Sequence, residues 1–121
     1  MAEYRRQWRY YKTTAGGDPV GRFLDGLTDE EAAQVVAAMK DVGKNGLRVA
    51  KHLRADVYEV IADGPTRSFR VLFAAEGRYN QVLLAVVAFA KKTQKTPGRM
   101  LDLAESRLAD WRNRGNKTQR K

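Results

Sequence analysis

The side chains able to do chemistry in this chain are almost all cations. It holds 23 lysines and arginines, a single histidine, His52, and no cysteine. Thiol chemistry, disulfides and any mechanism built on two histidines are excluded, and no set of residues has metal-ligand spacing. What remains suits an anion. Guanidinium groups can grip a phosphate bidentately, and a lysine among other cations can have its pKa lowered enough to accept a proton. Arg70 leads these candidates, because it lies out of phase with Phe69, Val71 and Phe73 and so points to the other face of a strand. Lys91, Lys92 and Lys95 precede Thr96-Pro97, a helix start, where cations are unfavourable until an anion arrives. Lys51, His52 and Arg54 form a second basic group, and Arg67 flanks the strand of Arg70. Each has a plain structural reading. Arg70 can pair with Glu59 across a sheet, the lysines can form a solvated loop, and His52 can be merely exposed.

The elements that must hold these residues are legible in outline. Gln7 to Thr13 is rich in aromatics and reads as a strand. Asp18-Pro19 opens a short helix through Phe23, Leu24 and Leu27. Thr28 and Glu31 form a capping box for a second helix, with Ala32, Val35, Val36, Met39 and Val42 at helical spacing and Gly43 and Gly46 at its end. The period then changes from helical to alternating. Val57 to Ile61, Ser68 to Ala75 and Gln81 to Ala90 read as three strands joined by short turns, an antiparallel meander. The unbroken apolar run of the last predicts a central strand covered on both faces. Lys51, His52 and Arg54 fall in the connection before the meander. Thr96-Pro97 caps a final helix carrying Met100, Leu101, Leu103, Ala104, Leu108 and Trp111. The order predicts an α+β domain over residues 1–112 with its helices on one face of the sheet, followed by a disordered basic tail, 113–121.

Charge narrows the class of partner. The formal net charge is +9; residues 1–90 carry 13 basic and 11 acidic side chains, residues 91–121 carry 10 and 3. Such a field attracts polyanions, nucleic acid above all. The longest apolar run, 82–90, is far short of the about 20 residues a bilayer span needs. No signal peptide is visible either, so the expectation is a cytoplasmic protein with no membrane partner.

Three segments carry a resemblance. Val57-Tyr58-Glu59-Val60, then Phe69-Arg70-Val71-Leu72-Phe73, then Phe89-Ala90-Lys91-Lys92-Thr93-Gln94-Lys95-Thr96-Pro97, with Leu103-Ala104 and Arg107 behind, resemble the phage-derived HigB-like branch of the RelE toxin superfamily. Pro19-Val20 and Phe23 to Leu27 resemble its short first helix, and the likeness covers about residues 8 to 112. It implies a RelE-like fold whose open sheet face receives messenger RNA in the ribosomal A site. It implies an endoribonuclease in which the 2′-hydroxyl attacks the adjacent phosphate, without a cofactor, held in check by an antitoxin that usually has a helix-turn-helix domain.

Such a reaction needs a proton acceptor, positive charge at the phosphorane and an acid for the leaving 5′-oxygen. The catalytic candidates are Arg70, Lys92, Lys91, Arg67 and His52; Lys51, Arg54 and Lys95 are candidates for RNA contact. The sequence departs from the branch at one point: the arginine that closes its Leu-Tyr-Glu-Leu-Arg motif is replaced by Ile61. Where an aromatic or histidine often stands beside the basic motif, Ala88 and Phe89 cannot transfer protons. Arg67 or Arg54 must then supply the missing charge, or the chain is an impaired member that binds RNA, ribosome or protein without cutting.

Overall fold

The helices of the first half start and stop where capping chemistry dictates. In the computed structural model, which describes residues 6–92 and 95–119, strand β1 (Gln7–Tyr10) leads to helix α1 (Pro19–Asp25). The Asp18 carboxylate accepts from the Gly21 backbone N–H at 3.1 Å, with Pro19 in the first turn. Helix α2 (Asp29–Asn45) begins with both bonds of the Thr28/Glu31 capping box in place, each 3.1 Å. It runs through Gly43 and ends at Gly46, whose φ of +85° is open to glycine at little cost. A single 3-10 turn, Leu47–Val49, follows.

Four antiparallel strands come next, β2 (Lys51–Arg54), β3 (Val57–Asp63), β4 (Ser68–Glu76) and β5 (Val82–Lys91), and then helix α3 (Gly98–Gln119). The sheet order is β1-β5-β4-β3-β2, with β1 parallel to β5. The expected meander is therefore present and extended at both edges. The segment of Lys51, His52 and Arg54, expected as a connection, is an edge strand registered on Glu59, Tyr58 and Val57.

The expectation that all helices share one face is corrected. Val35, Met39 and Val42 of α2 and Val20 of α1 pack on Val60, Phe69, Val71, Phe73 and Leu83. Ala104 and Leu108 of α3 pack on the other face, over Val57, Leu72, Leu84, Val86 and Val87. The physical reason lies in β5, whose two faces are both apolar and must both be shielded from water. A register shift opposite Leu72 and Phe73 helps, since Leu72 pairs with Val87 and Phe73 with Ala85. This bulge turns Val86 and Val87 together into the α3 side. Fully buried side chains such as Phe69 and Leu84 contribute about 1.5–3 kcal/mol each.

Helix α3 differs from expectation at its start. Thr96 does not cap it: its hydroxyl donates to the Glu59 carboxylate, and the first-turn N–H of Met100 bonds to the Pro97 carbonyl at 3.0 Å. At the other end the helix runs to Gln119.

Candidate active site

The register of the sheet decides which candidates can meet. Ile61, Arg70 and Phe89 stand in one cross-strand row; Asp63, Ser68 and Lys91 form the next. Lys51 lies opposite Glu59, two residues before Ile61, so the register puts it on the same face. This is the face that α3 covers only in part. Ile61 is 44% exposed, which marks the end of the sheet that the helix leaves open.

Arg70 lies in that row but is not on an exposed patch. It is 7% exposed, and its Nη1 donates to the Asp63 carboxylate at 2.8 Å and to the Phe69 carbonyl at 3.0 Å. The Arg70 hydrogen bond, aided by Ser68, holds the Asp63 carboxyl below its ordinary range. Glu59, 1% exposed, sits behind it, with Oε1 3.7 Å from the Arg70 Nε. Neither of those two atoms has a hydrogen-bond partner among the described residues. The open-face expectation for Arg70 is thus corrected. Its charge is balanced by one buried and one exposed carboxylate, because a lone guanidinium at this depth would be strongly disfavoured.

Cations at the rim are differently placed. Between the end of β5 and the start of α3 lies a cleft of about 430 Å³, lined by Phe89, Ala90, Lys92, Pro97, Arg99 and Met100. Lys92 and Arg99 are exposed and make no hydrogen bond or ion pair among the described residues. Lys91 is half-buried near Asp63, whose carboxyl feels its charge. Lys95 is exposed on the same connection, while Thr93 and Gln94, part of the family-like motif, lie outside the described residues.

The remaining candidates do not join this group. His52 pairs with Tyr58 and its ring lies 4.9 Å from the Tyr58 ring, on the α1/α2 side of the sheet; its Nε2 is 2.7 Å from the Ala55 carbonyl. Arg67 turns to the α2 side as well. It donates to Glu31 at 2.9 and 3.2 Å and lies over the Phe69 ring. The Arg67 hydrogen bonds, with the capping bond from Thr28, hold the Glu31 carboxyl at about 2. Arg54 is tied to α3 by Asp102 at 2.5 Å and Glu105 at 2.8 Å. Arg67 and Arg54 thus each pair with carboxylates outside the row of Ile61, Arg70 and Phe89.

Sequence reasoning missed Arg99 and undervalued Phe89. The signal for Arg99 was available: it is another cation in the first turn of α3, where the dipole disfavours it, like the three lysines before it. Phe89, which cannot transfer a proton, offers an apolar surface to the cleft.

A model of the phage-derived Gp49-like family matches residues 22–109, a span that takes in every cation of this site. The chain belongs to that family. It is also similar to a protein of Mycobacterium tuberculosis named "Probable endoribonuclease HigB1", in two strains, CDC 1551 and H37Rv. The identity is 31% over 108 residues, covering 87% of this chain and 84% of that protein. Together with the α+β, RelE-like architecture, these place the chain in the HigB-like branch of the RelE/HigB toxins. No helix among the described residues is long and apolar enough to cross a membrane.

Proposed function

We propose that the chain is the toxin of a toxin–antitoxin pair and an endoribonuclease that cuts messenger RNA on the ribosome. The observation that carries the reading is the likeness to an endoribonuclease over nearly the whole chain, combined with a family match that includes the cations around the β5–α3 cleft. The chemistry follows from what stands there. Lys91, Lys92 and Arg99 are positioned to draw in the phosphate backbone and to stabilise a phosphorane. Arg70, one strand from Phe89, contributes its guanidinium if an incoming phosphate displaces Asp63 from Nη1. The 2′-oxygen attacks the adjacent phosphorus and the 5′-oxygen leaves. Lys91 or Lys92 handles one proton transfer and RNA or ribosome groups handle the other, since His52 faces the opposite side of the sheet.

Expression of the chain alone in a bacterium tests this directly. Growth arrest with breaks inside translated messages, mapped by primer extension, is the expected result; healthy growth with intact messages sinks the enzyme. A second reading is favoured by a specific observation. Arg70 is committed to two carboxylates and Ile61 stands where the branch has arginine, as expected of a member that binds RNA, ribosome or protein without cutting it. Toxicity without message breaks would select it.

We also propose that the antitoxin, of the helix-turn-helix type, covers the Arg70–Lys91–Lys92 end of the sheet with acidic side chains. A complex that leaves this end open to solvent would contradict it.

A further inference from the structure

Charge balance alone does not account for the way Glu59 is placed. It is buried in β3, and its two oxygens look to different parts of the molecule. Oε2 accepts from the Thr96 hydroxyl, on the connection that carries Lys92 and Lys95 toward α3. A threonine at a helix start ordinarily spends that hydroxyl on the helix N–H groups, and here it is withdrawn to the sheet. Oε1 faces Arg70 on the neighbouring strand, 3.7 Å from Nε, and both atoms lack a hydrogen-bond partner among the described residues. Each forgoes a bond that burial makes costly to lose. The guanidinium is held outward instead, because Nη1 donates to Asp63, a carboxylate that is 61% exposed, and to the Phe69 carbonyl. Closing the gap to a charge-assisted bond of about 2.8 Å takes a shift of only about 0.9 Å.

We infer that Glu59 is a positioning residue that gives Arg70 two seats. With Asp63 on Nη1 the guanidinium sits outward and the Glu59 bond stays open. When an RNA phosphate takes the place of the Asp63 carboxylate, the guanidinium settles inward and its Nε donates to Glu59 Oε1. The two Nη groups then form a fork toward the phosphate. Oε2 meanwhile keeps Thr96, and with it the basic connection, in register with Arg70. Glu59 acts through these two residues and touches no substrate atom. The inference rests on the proposed function for its choice of an RNA phosphate as the displacing anion, but it requires binding, not cleavage. A carboxylate serving only as a buried counter-charge would leave the Arg70 Nε–H unchanged when the anion arrives.

The experiment is heteronuclear NMR of the arginine Nε–H groups of the full chain, titrated with an oligoribonucleotide whose 2′-hydroxyls are blocked by methylation. The Arg70 signal is the one lost in Arg70→Lys. With the strand bound, that signal is expected to move downfield and to exchange with water about ten-fold or more slowly, the scale of one hydrogen bond to a charged group. A strand that shifts the backbone signals of the site but leaves the Arg70 Nε–H unmoved overturns the inference without any variant. Glu59→Gln keeps the size and a polar contact for Thr96 but removes the charge, and is expected to abolish the slowing. In a Gln variant that still melts cooperatively, the rate constant for message cleavage on ribosomes should fall about ten-fold, the same scale. The half-saturating ribosome concentration should stay near the wild-type value, since the bond forms only around a seated phosphate. A slowing that survives Glu59→Gln overturns the inference, and so does a folded Gln variant whose rate constant is unchanged. The two proposals fail separately. A chain whose Arg70 Nε–H responds to the strand but which never cuts messages keeps this role for Glu59 and loses the enzymatic function. A chain that cuts while the Nε–H stays indifferent loses only the role of Glu59. If no signal responds to the strand, the inference is overturned whatever happens to messages.

Discussion

Helix α3 carries cations at both ends, and the two groups differ in what surrounds them. Toward its C-terminus, Arg112 donates to Glu76 at 2.6 and 2.9 Å and to Asp56 at 3.0 Å. Arg114 reaches Asp110 at 2.8 Å, and the Tyr11 hydroxyl donates to that same carboxylate at 2.6 Å. That hydroxyl bond, with the charge of Arg114, holds the Asp110 carboxyl below its usual range; the Glu76 carboxylate pushes Arg112 up. At the N-terminal end, Arg99 and the neighbouring Lys92 meet no carboxylate among the described residues. The same formal charge is thus a set of struts at one end and an unfilled demand for an anion at the other. A surplus of basic residues says that a polyanion can bind; only the pairing says where.

That contrast can be broken or sharpened by substitution, and the largest effect is expected between the two ends. Arg70→Ala leaves Glu59 buried without its counter-charge, a loss of about 3 kcal/mol or more in denaturant unfolding. Toxicity should vanish with it. Arg70→Lys, which keeps a positive charge near Glu59, separates the two effects: a folded, non-toxic Lys variant supports direct work on phosphate, and a folded, fully toxic one argues that Arg70 is structural. Next, the Lys92→Ala, Arg99→Ala double variant should cut message cleavage about ten-fold or more, while stability stays within about 0.5 kcal/mol because no pairing is lost. Arg112→Ala should do the opposite. The expected cost is about 1 kcal/mol of stability, since the pairs are partly exposed, with toxicity retained at permissive temperature. If Arg112→Ala abolished cleavage while the double variant left it intact, the division of α3 into structural and binding ends would be wrong.

The smallest effect is one of pH. Glu31, held at about 2 by Arg67, binds fewer protons folded than unfolded at mildly acidic pH. Its contribution is therefore complete above the ordinary carboxylate range and is lost as pH falls from about 4.3 toward 2. Arg67→Ala should melt below the wild type at neutral pH, and the gap should close as the solution is acidified toward pH 2. A gap that stays constant with pH would show that Arg67 stabilises through packing on Phe69 instead.

The two caps, the glycine stop of α2 and the three meander strands were legible because each depends on neighbours in sequence: a hydroxyl three residues from an N–H, or an alternation of period two. The strand of Lys51, His52 and Arg54 was not, since its four residues carry no clear alternation and become a strand only through pairing with β3. Nor was the side of the sheet that α3 takes. Its apolar spacing shows that it has a face to bury, not which of the two faces of β5 receives it. Thr96 was misjudged as a cap for a related reason. The local rule is sound, but a buried carboxylate from β3 competes for the same hydroxyl.

By itself the sequence determined the class of chemistry, cationic and without thiols or a histidine pair, together with the capped helices and the strand motif that resembles the family. It did so because those properties are compositional or local. The tertiary structure decided which cations remain available. Arg54, Arg67 and Arg112 are neutralised by carboxylates 36 or more residues away, Arg70 is sunk between Glu59 and Asp63, and Lys92 and Arg99 are left open beside Phe89. Ion pairing acts through space over a few ångströms, and the distance between two charges is set by how the sheet and its helices pack, not by their separation along the chain.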